Sequence, residues 1–91
     1  MNKAMVLDIG RQTSVAHGSV PLTVVQVGQR VRIAFIAGGE RAQARLAELG
    51  LIPNVEVKVL NRSKGGPLLL IVKGSRLALG RSLSSKIMVV Q

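Results

Sequence analysis

Residues 45–54 read RLAELGLIPN, and this stretch decides the fold because a helix has to end inside it. The preceding segment, residues 40–49, has apolar residues at helical spacing, with Ala42, Leu46 and Leu49 on one face. We therefore expect an α-helix over residues 40–49 that buries Leu46 and Leu49 in the core.

The end of this helix is encoded by the residues that follow it. Gly50 stands where a helix terminus needs a positive φ, and either Leu51 or Ile52 can fold back onto the last turn as the apolar contact of a Schellman motif. Pro53 prevents the helix from continuing. The alternating sequence of residues 55–61 then predicts a strand directly after the turn.

Strand patterns surround the helix on both sides. Val31, Ile33 and Phe35 alternate with Arg32 and Ala34, so we expect the three larger apolar side chains to face inward. Downstream, a glycine pair at 65–66 fits the tip of a hairpin. The further predicted strands are 68–73, 76–80 and 87–90.

Short strands, tight turns and a single helix predict a mainly β domain. Because closure removes exposed edges, we expect a small SH3-like barrel of about five strands, with the helix at 40–49 and a helical turn near 82–86. We expect residues 21–91 to form this domain. We expect residues 1–20 to form an N-terminal extension, either a flexible arm or an added strand.

Charge indicates the class of partner. Thirteen Lys and Arg residues against four acids give a formal net charge of +9, which favours anionic partners such as nucleic acid, anionic lipid or an acidic protein surface. The basic residues are scattered, so a solvated surface explains any single one equally well. No segment has the ~18 consecutive apolar residues of a membrane span, and no cysteine is present. We expect a soluble cytoplasmic protein.

The side chains needed for catalysis or metal binding are sparse. The single histidine, His17, lies in the extension, and the acids Asp8, Glu40, Glu48 and Glu56 are widely spread. We therefore expect no enzyme, no cofactor and no metal site within one chain. The one metal arrangement to consider is His17 with Asp8 as ligands shared between two chains.

Four motifs carry a resemblance to a known family. They are Arg45-Leu46-x-x-Leu49-Gly50-Leu51-x-Pro53, Gly66-Pro67, Gly74 through Ala78, and Ile87-x-Val89. Together they resemble the ferrous-iron transport protein A (FeoA) family over residues 22–89. Asn54 departs from the family, which usually has glycine there, but asparagine tolerates a positive φ. The first 20 residues also run longer than the family's usual start.

This resemblance implies an SH3-like accessory protein of bacterial ferrous-iron uptake. Such a protein is expected to bind the large GTP-binding membrane transporter (FeoB type) from the cytoplasm, through its GTP-binding domain in the usual proposal, and to modulate it. Recruitment to the inner membrane by that partner follows, and self-association is a further expectation. The family name refers to the transport system and does not require this component to hold iron.

Two surfaces are candidates for partner binding. Arg41, Arg45 and Glu48 fall on the exposed face of the predicted helix. The strand at 68–73 must turn one alternating set outward, and we take Leu69 and Ile71 as the candidate apolar patch, although the opposite register is equally compatible with the pattern.

The alternative function is an SH3-like basic module that binds nucleic acid, which the charge favours. Phe35 is the sole aromatic residue and is expected to face inward, which leaves no platform on which bases could stack. Nucleic acid is therefore the less favoured partner.

Overall fold

The computed structural model describes residues 18–91, which form a six-stranded antiparallel sheet, a nine-residue helix and a short helical turn. A 3₁₀ turn over Leu22–Val24 follows the first strand. The strands are β1 (Val20–Pro21), β2 (Arg30–Ile36), β3 (Glu56–Arg62), β4 (Leu68–Val72), β5 (Ser75–Leu79) and β6 (Ile87–Val90). The helices are α1 (Glu40–Glu48) and α2 (Arg81–Ser84).

The strand order across the sheet is β1-β6-β2-β3-β4-β5. Strands β2 to β5 pair consecutively, whereas β6 returns to pair with β2 and with β1. The mainly β class is confirmed, and the two-residue strand β1 raises the expected five strands to six. Of the predicted extension over residues 1–20, only the last three residues are described, so its boundary at residue 21 stays a prediction.

The core is formed by the inward face of the sheet, the buried side of α1 and the 3₁₀ turn. Its members are aliphatic and almost wholly excluded from solvent, which is the main source of stability in a domain of this size. They are Leu22, Val25, Val31, Ile33, Leu46, Leu51, Val57, Val59, Leu68, Leu70, Val72, Leu79, Ile87 and Val89.

The end of α1 is a complete Schellman motif. The N–H of Gly50 donates to the carbonyl of Ala47 and the N–H of Leu51 donates to the carbonyl of Leu46, both at 2.9 Å. Gly50 has φ +85° and Leu51 is 1% exposed, so the apolar residue that folds back is Leu51, whereas Ile52 points outward.

The expected burial of Leu49 is wrong. Leu49 is the C-cap residue, with φ −91° and ψ 3°, and its side chain is 41% exposed. Because the chain leaves helical geometry at this residue, the inward place on the next turn is taken by Leu51 instead. Leu46 is fully buried as expected, and Asn54 adopts φ +77° in the turn that follows.

The expected inward position of Phe35 is also wrong. In the pairing of β2 with β6, Ile33 lies opposite Val89, but Phe35 lies opposite Met88, the next residue along, so a β-bulge interrupts the ladder. The bulge adds one residue to β2 and reverses the alternation after Ile33. Phe35 is therefore 40% exposed.

The open question of which face of β4 points inward is settled by burial. Leu68, Leu70 and Val72 are buried, while Leu69 and Ile71 are half-buried on the outer face of the sheet, the face that points away from the core. The β3–β4 connection is a hairpin whose tip carries Gly65 at φ +74°, as the glycine pair predicts.

Arg62 joins the end of β3 to the segment after the 3₁₀ turn. Its Nη2 donates a hydrogen bond to the carbonyl of Val25, and the side chain is half-buried. This contact ties the end of β3 to the residue that follows the 3₁₀ turn.

Candidate interaction surfaces

The three helical residues expected to bind a partner all lie on exposed positions of α1. Arg41, Arg45 and Glu48 are spaced by four and three residues, so they share one stripe along the helix. Within residues 18–91, no hydrogen bond or ion pair involves any of the three side chains. Their charged groups are therefore available to a partner.

A second stripe on α1 lines an open groove of about 470 Å³. The helical residues of this wall are Glu40, Gln43, Ala44 and Ala47. Arg41, Arg45 and Glu48 each follow one of them by a single residue, which is a rotation of about 100° around the helix. The charged stripe therefore runs beside the groove along its whole helical wall.

The opposite wall of this groove comes from β2 and from the turn after α1. Its residues are Phe35, Ile36, Leu51, Ile52 and Pro53. Phe35 is 40% and Ile52 is 43% exposed, so two large apolar side chains border the groove. On the helical wall, Ala44 and Ala47 contribute only methyl groups, so their side chains fill little of the groove. We call this feature the helix groove.

Sequence reasoning missed the helix groove because it placed Phe35 in the core. The bulge that turns Phe35 outward depends on the pairing of β2 with β6, a strand more than fifty residues further along the chain. The segment RVRIAFI contains no glycine that would mark an irregular position. The periodicity of β2 alone could not have indicated it.

Leu69 and Ile71 lie on a different surface from the helical candidates. Both are half-buried on the outer face of β4. Ile71 lines a groove of about 400 Å³ together with Arg30 and Lys58, whereas the helical residues border the helix groove. The predicted site residues thus belong to two separate surfaces.

Metal ligands do not cluster in the described part of the chain. Among residues 18–91, no group of three or more His, Cys, Asp or Glu side chains could hold a metal ion. His17 and Asp8, the predicted intermolecular ligands, fall outside the described residues. No helix within residues 18–91 is both long enough and apolar enough to cross a membrane.

Comparison with known families identifies the family of this chain. The family model described as the FeoA domain matches residues 20–91, from the first strand to the end of the chain. The chain belongs to the FeoA family. The resemblance carried by the sequence motifs is confirmed by this match.

Individual FeoA proteins support the same assignment. A protein of Methanocaldococcus jannaschii named "Putative Fe(2+) transport protein A" is 38% identical over 69 residues, which cover 76% of this chain and 83% of that protein. The crystal structure of an iron uptake regulatory protein, FeoA, matches with a TM-score of 0.75 and 33% identity, over 79% of this chain and 96% of the other.

A second FeoA structure confirms the predicted SH3-like fold. FeoA of Stenotrophomonas maltophilia, crystallised with zinc, has a TM-score of 0.64 and 25% identity, over 75% of this chain and 86% of the other. That protein is described as a procaryotic SH3 domain protein. The six-stranded sheet and short helix of the present chain share its fold.

Proposed function

We propose that this chain is an accessory protein of ferrous-iron transport that docks from the cytoplasm on the large GTP-binding membrane transporter of the FeoB type and modulates it. The proposal assigns no catalytic step and no resident metal to this chain. It is a binding module, and its action depends on which conformation of the transporter it binds more tightly.

The family provides the first support. The relative from Methanocaldococcus jannaschii carries the name of a ferrous-iron transport protein, and the Stenotrophomonas maltophilia protein is described as a candidate ferrous-iron transport activating factor. A small domain that activates a transporter has to bind that system, directly or through another component.

The observation that carries the proposal is the helix groove. Phe35 and Ile52 are two exposed apolar side chains that border one groove, and contiguous exposed apolar surface of this kind marks interaction sites. Aromatic side chains in open grooves are frequent anchors of protein interfaces, and Arg is enriched beside them. Arg41 and Arg45 supply such a charged border beside the groove.

Modulation follows from differential affinity. A bound module shifts the equilibrium between two states of a transporter only by the ratio of its affinities for those states. If docking favours the state competent for GTP hydrolysis or for transport, this chain activates; if it favours the other state, it inhibits.

The test is an amide-resolved NMR titration of the full chain with the soluble GTP-binding domain of its cognate transporter, at near-physiological salt. We expect saturable shifts for Phe35, Ala44, Ala47 and Ile52, and for the adjacent Arg45. Shifts of these residues that depend on the concentration of the chain alone would assign the groove to a second copy. Saturable shifts with a mixed RNA, without shifts with the domain, would replace the proposal by nucleic-acid binding. If the amide signals of the groove residues do not shift when the GTP-binding domain is added, docking of the groove on that domain is overturned.

A further inference from the structure

Three cationic side chains occupy one row across the outer face of the sheet. Arg30 on β2 lies directly opposite Lys58 on β3, Lys58 lies opposite Ile71 on β4, and Ile71 lies opposite Arg76 on β5. Neighbouring strands are about 4.8 Å apart, so the row spans roughly 14 Å. We call Arg30, Lys58 and Arg76 the basic row.

This arrangement is electrostatically unfavourable in the isolated chain. Like charges directly opposite one another on neighbouring strands destabilise a sheet. No hydrogen bond or ion pair within residues 18–91 involves the side chains of Arg30, Lys58 or Arg76. By contrast, Arg32 on the same face donates to the carbonyl of Asn54 at 2.9 Å and so has a structural role. The basic row therefore has no hydrogen-bonded or ion-paired partner in the described chain. The acid nearest to it along β3 is Glu56, which lies two residues before Lys58 and opposite Arg32.

A fourth cation adjoins the row at a strained position. Lys73 and Gly74 form the two-residue turn between β4 and β5, and both have positive φ, +51° and +80°. Such a turn favours Asn, Asp or Gly at its first position, and lysine is strained there. Lys73 lines the same 400 Å³ groove as Arg30 and Lys58. The groove is thus lined by the cations Arg30, Lys58 and Lys73 and by one acid, Glu56. Lys73 is held there in a backbone conformation that lysine rarely adopts.

Aliphatic side chains lie between the cations. Ile71 occupies the row itself, between Lys58 and Arg76, and Leu69 lies two residues away on the same face of β4. Both are half-buried. Long basic side chains can extend past such residues and carry their charges outward, while their methylene stems cover the apolar surface.

We propose that the basic row, with Lys73 and Ile71, binds the anionic phospholipid surface of a bilayer. Phospholipid headgroups supply negative charges across a broad surface, and the interfacial region beneath them accepts aliphatic side chains. Nucleic acid fits this face less well, because its described residues include no aromatic side chain on which bases could stack. The inference is independent of the docking proposal, which concerns a different surface.

The test is flotation of the full chain with vesicles that contain phosphatidylcholine alone or with ~30% phosphatidylglycerol, at about 0.1 M salt. Each basic residue close to an anionic surface contributes about fivefold in binding. We therefore expect Lys58→Glu and Arg76→Glu each to weaken partitioning onto the anionic vesicles by at least about fivefold. The matched controls are Arg41→Glu and Arg45→Glu, which change the net charge equally but lie on α1; we expect less than about a twofold effect.

The result that would overturn the proposal is equal weakening by all four variants, because net charge alone would then explain binding. Failure of the unaltered chain to float with anionic vesicles would do the same. Tighter binding to polyglutamate or to a mixed RNA than to vesicles, lost in Lys58→Glu and Arg76→Glu, would assign the face to an acidic protein or to nucleic acid. Because the vesicles contain no transporter, none of these outcomes bears on the docking proposal.

Discussion

The backbone N–H of Leu51 donates to the carbonyl of Leu46 at 2.9 Å, and both side chains are buried in one core. This pair ends α1 and starts the path to β3. Leu51 also lines the helix groove, so the residue that completes the helix end is part of the candidate interaction surface.

Leu46→Ala should reduce the free energy of unfolding by about 2–5 kcal/mol, because it removes a wholly buried side chain and leaves a cavity. The matched control is Leu49→Ala on the same helix. Its side chain is 41% exposed, so we expect a cost below ~1 kcal/mol. Urea unfolding of both variants measures the difference, and equal costs would contradict the described helix end.

Gly50→Ala should destabilise the fold by about 1–2 kcal/mol. A Cβ at this position would meet no atom within 4 Å, so the cost comes from the positive φ and not from a clash. Gly50→Asn should cost less, because asparagine tolerates this backbone region. The denaturant concentration at the unfolding midpoint should therefore be highest for the unaltered chain, lower for Gly50→Asn and lowest for Gly50→Ala. An alanine variant as stable as the unaltered chain would exclude the Schellman motif.

Arg62→Ala should cost about 1–2 kcal/mol, because the carbonyl of Val25 loses its charged donor and the half-buried stem of the arginine is removed. Arg76→Ala serves as the control, since its side chain is exposed and has no hydrogen bond or ion pair within residues 18–91. We expect its effect to stay within ~0.5 kcal/mol. Thermal and urea unfolding at one protein concentration provide the comparison.

Lys58→Glu should stabilise the isolated chain by a few tenths to about 1 kcal/mol. The substitution places a carboxylate opposite Arg30, where two cations now repel. Lys58→Gln should give an intermediate value, because it removes the repulsion without adding an attraction. Chemical unfolding at low and high salt tests this, and the gain should shrink as salt rises. A destabilised Lys58→Glu chain would show that Lys58 has a structural role.

Ala44→Glu should weaken binding to the transporter's GTP-binding domain by at least about tenfold, because it places a charge in the groove that Phe35 and Ile52 border and that the partner is proposed to cover. Glutamate is a good helix former, so α1 should remain intact. Ala78→Glu, an exposed alanine on β5, carries the same charge change away from the groove. Calorimetric titration of both variants separates the two surfaces, and equal weakening would remove the groove from the interface.

The sequence predicted the elements that local signals encode. The helix stop at Gly50 and Pro53 was readable because glycine, proline and the following apolar residue act within one turn. The hairpin at 65–66 was readable for the same reason. The sequence did not indicate which face of β4 points inward, because its apolar residues do not alternate with polar ones.

The candidate surfaces were predicted only in part. Arg41, Arg45 and Glu48 could be placed on an exposed stripe because helical periodicity is local. The position of Phe35 depends on a bulge that forms only when β6 pairs with β2. The pairing of Arg30 with Lys58 depends on the register of two strands separated by a helix. Both features arise from the pairing of distant strands, and the local sequence of either strand does not indicate them.

Val20 on β1 lies opposite Val89 on β6, so the first described strand and the last one are adjacent at one edge of the sheet. In a chain without residues 1–17, residues 18 and 91 can therefore be joined by a linker of a few glycines, and the chain can be reopened in the exposed 63–67 loop. A circular permutant of this kind should keep all strand pairings, because loop tips tolerate such breaks. In the permutant the new termini would lie between β3 and β4 and no longer beside β6. The protein could then be attached to a support through a different part of its surface.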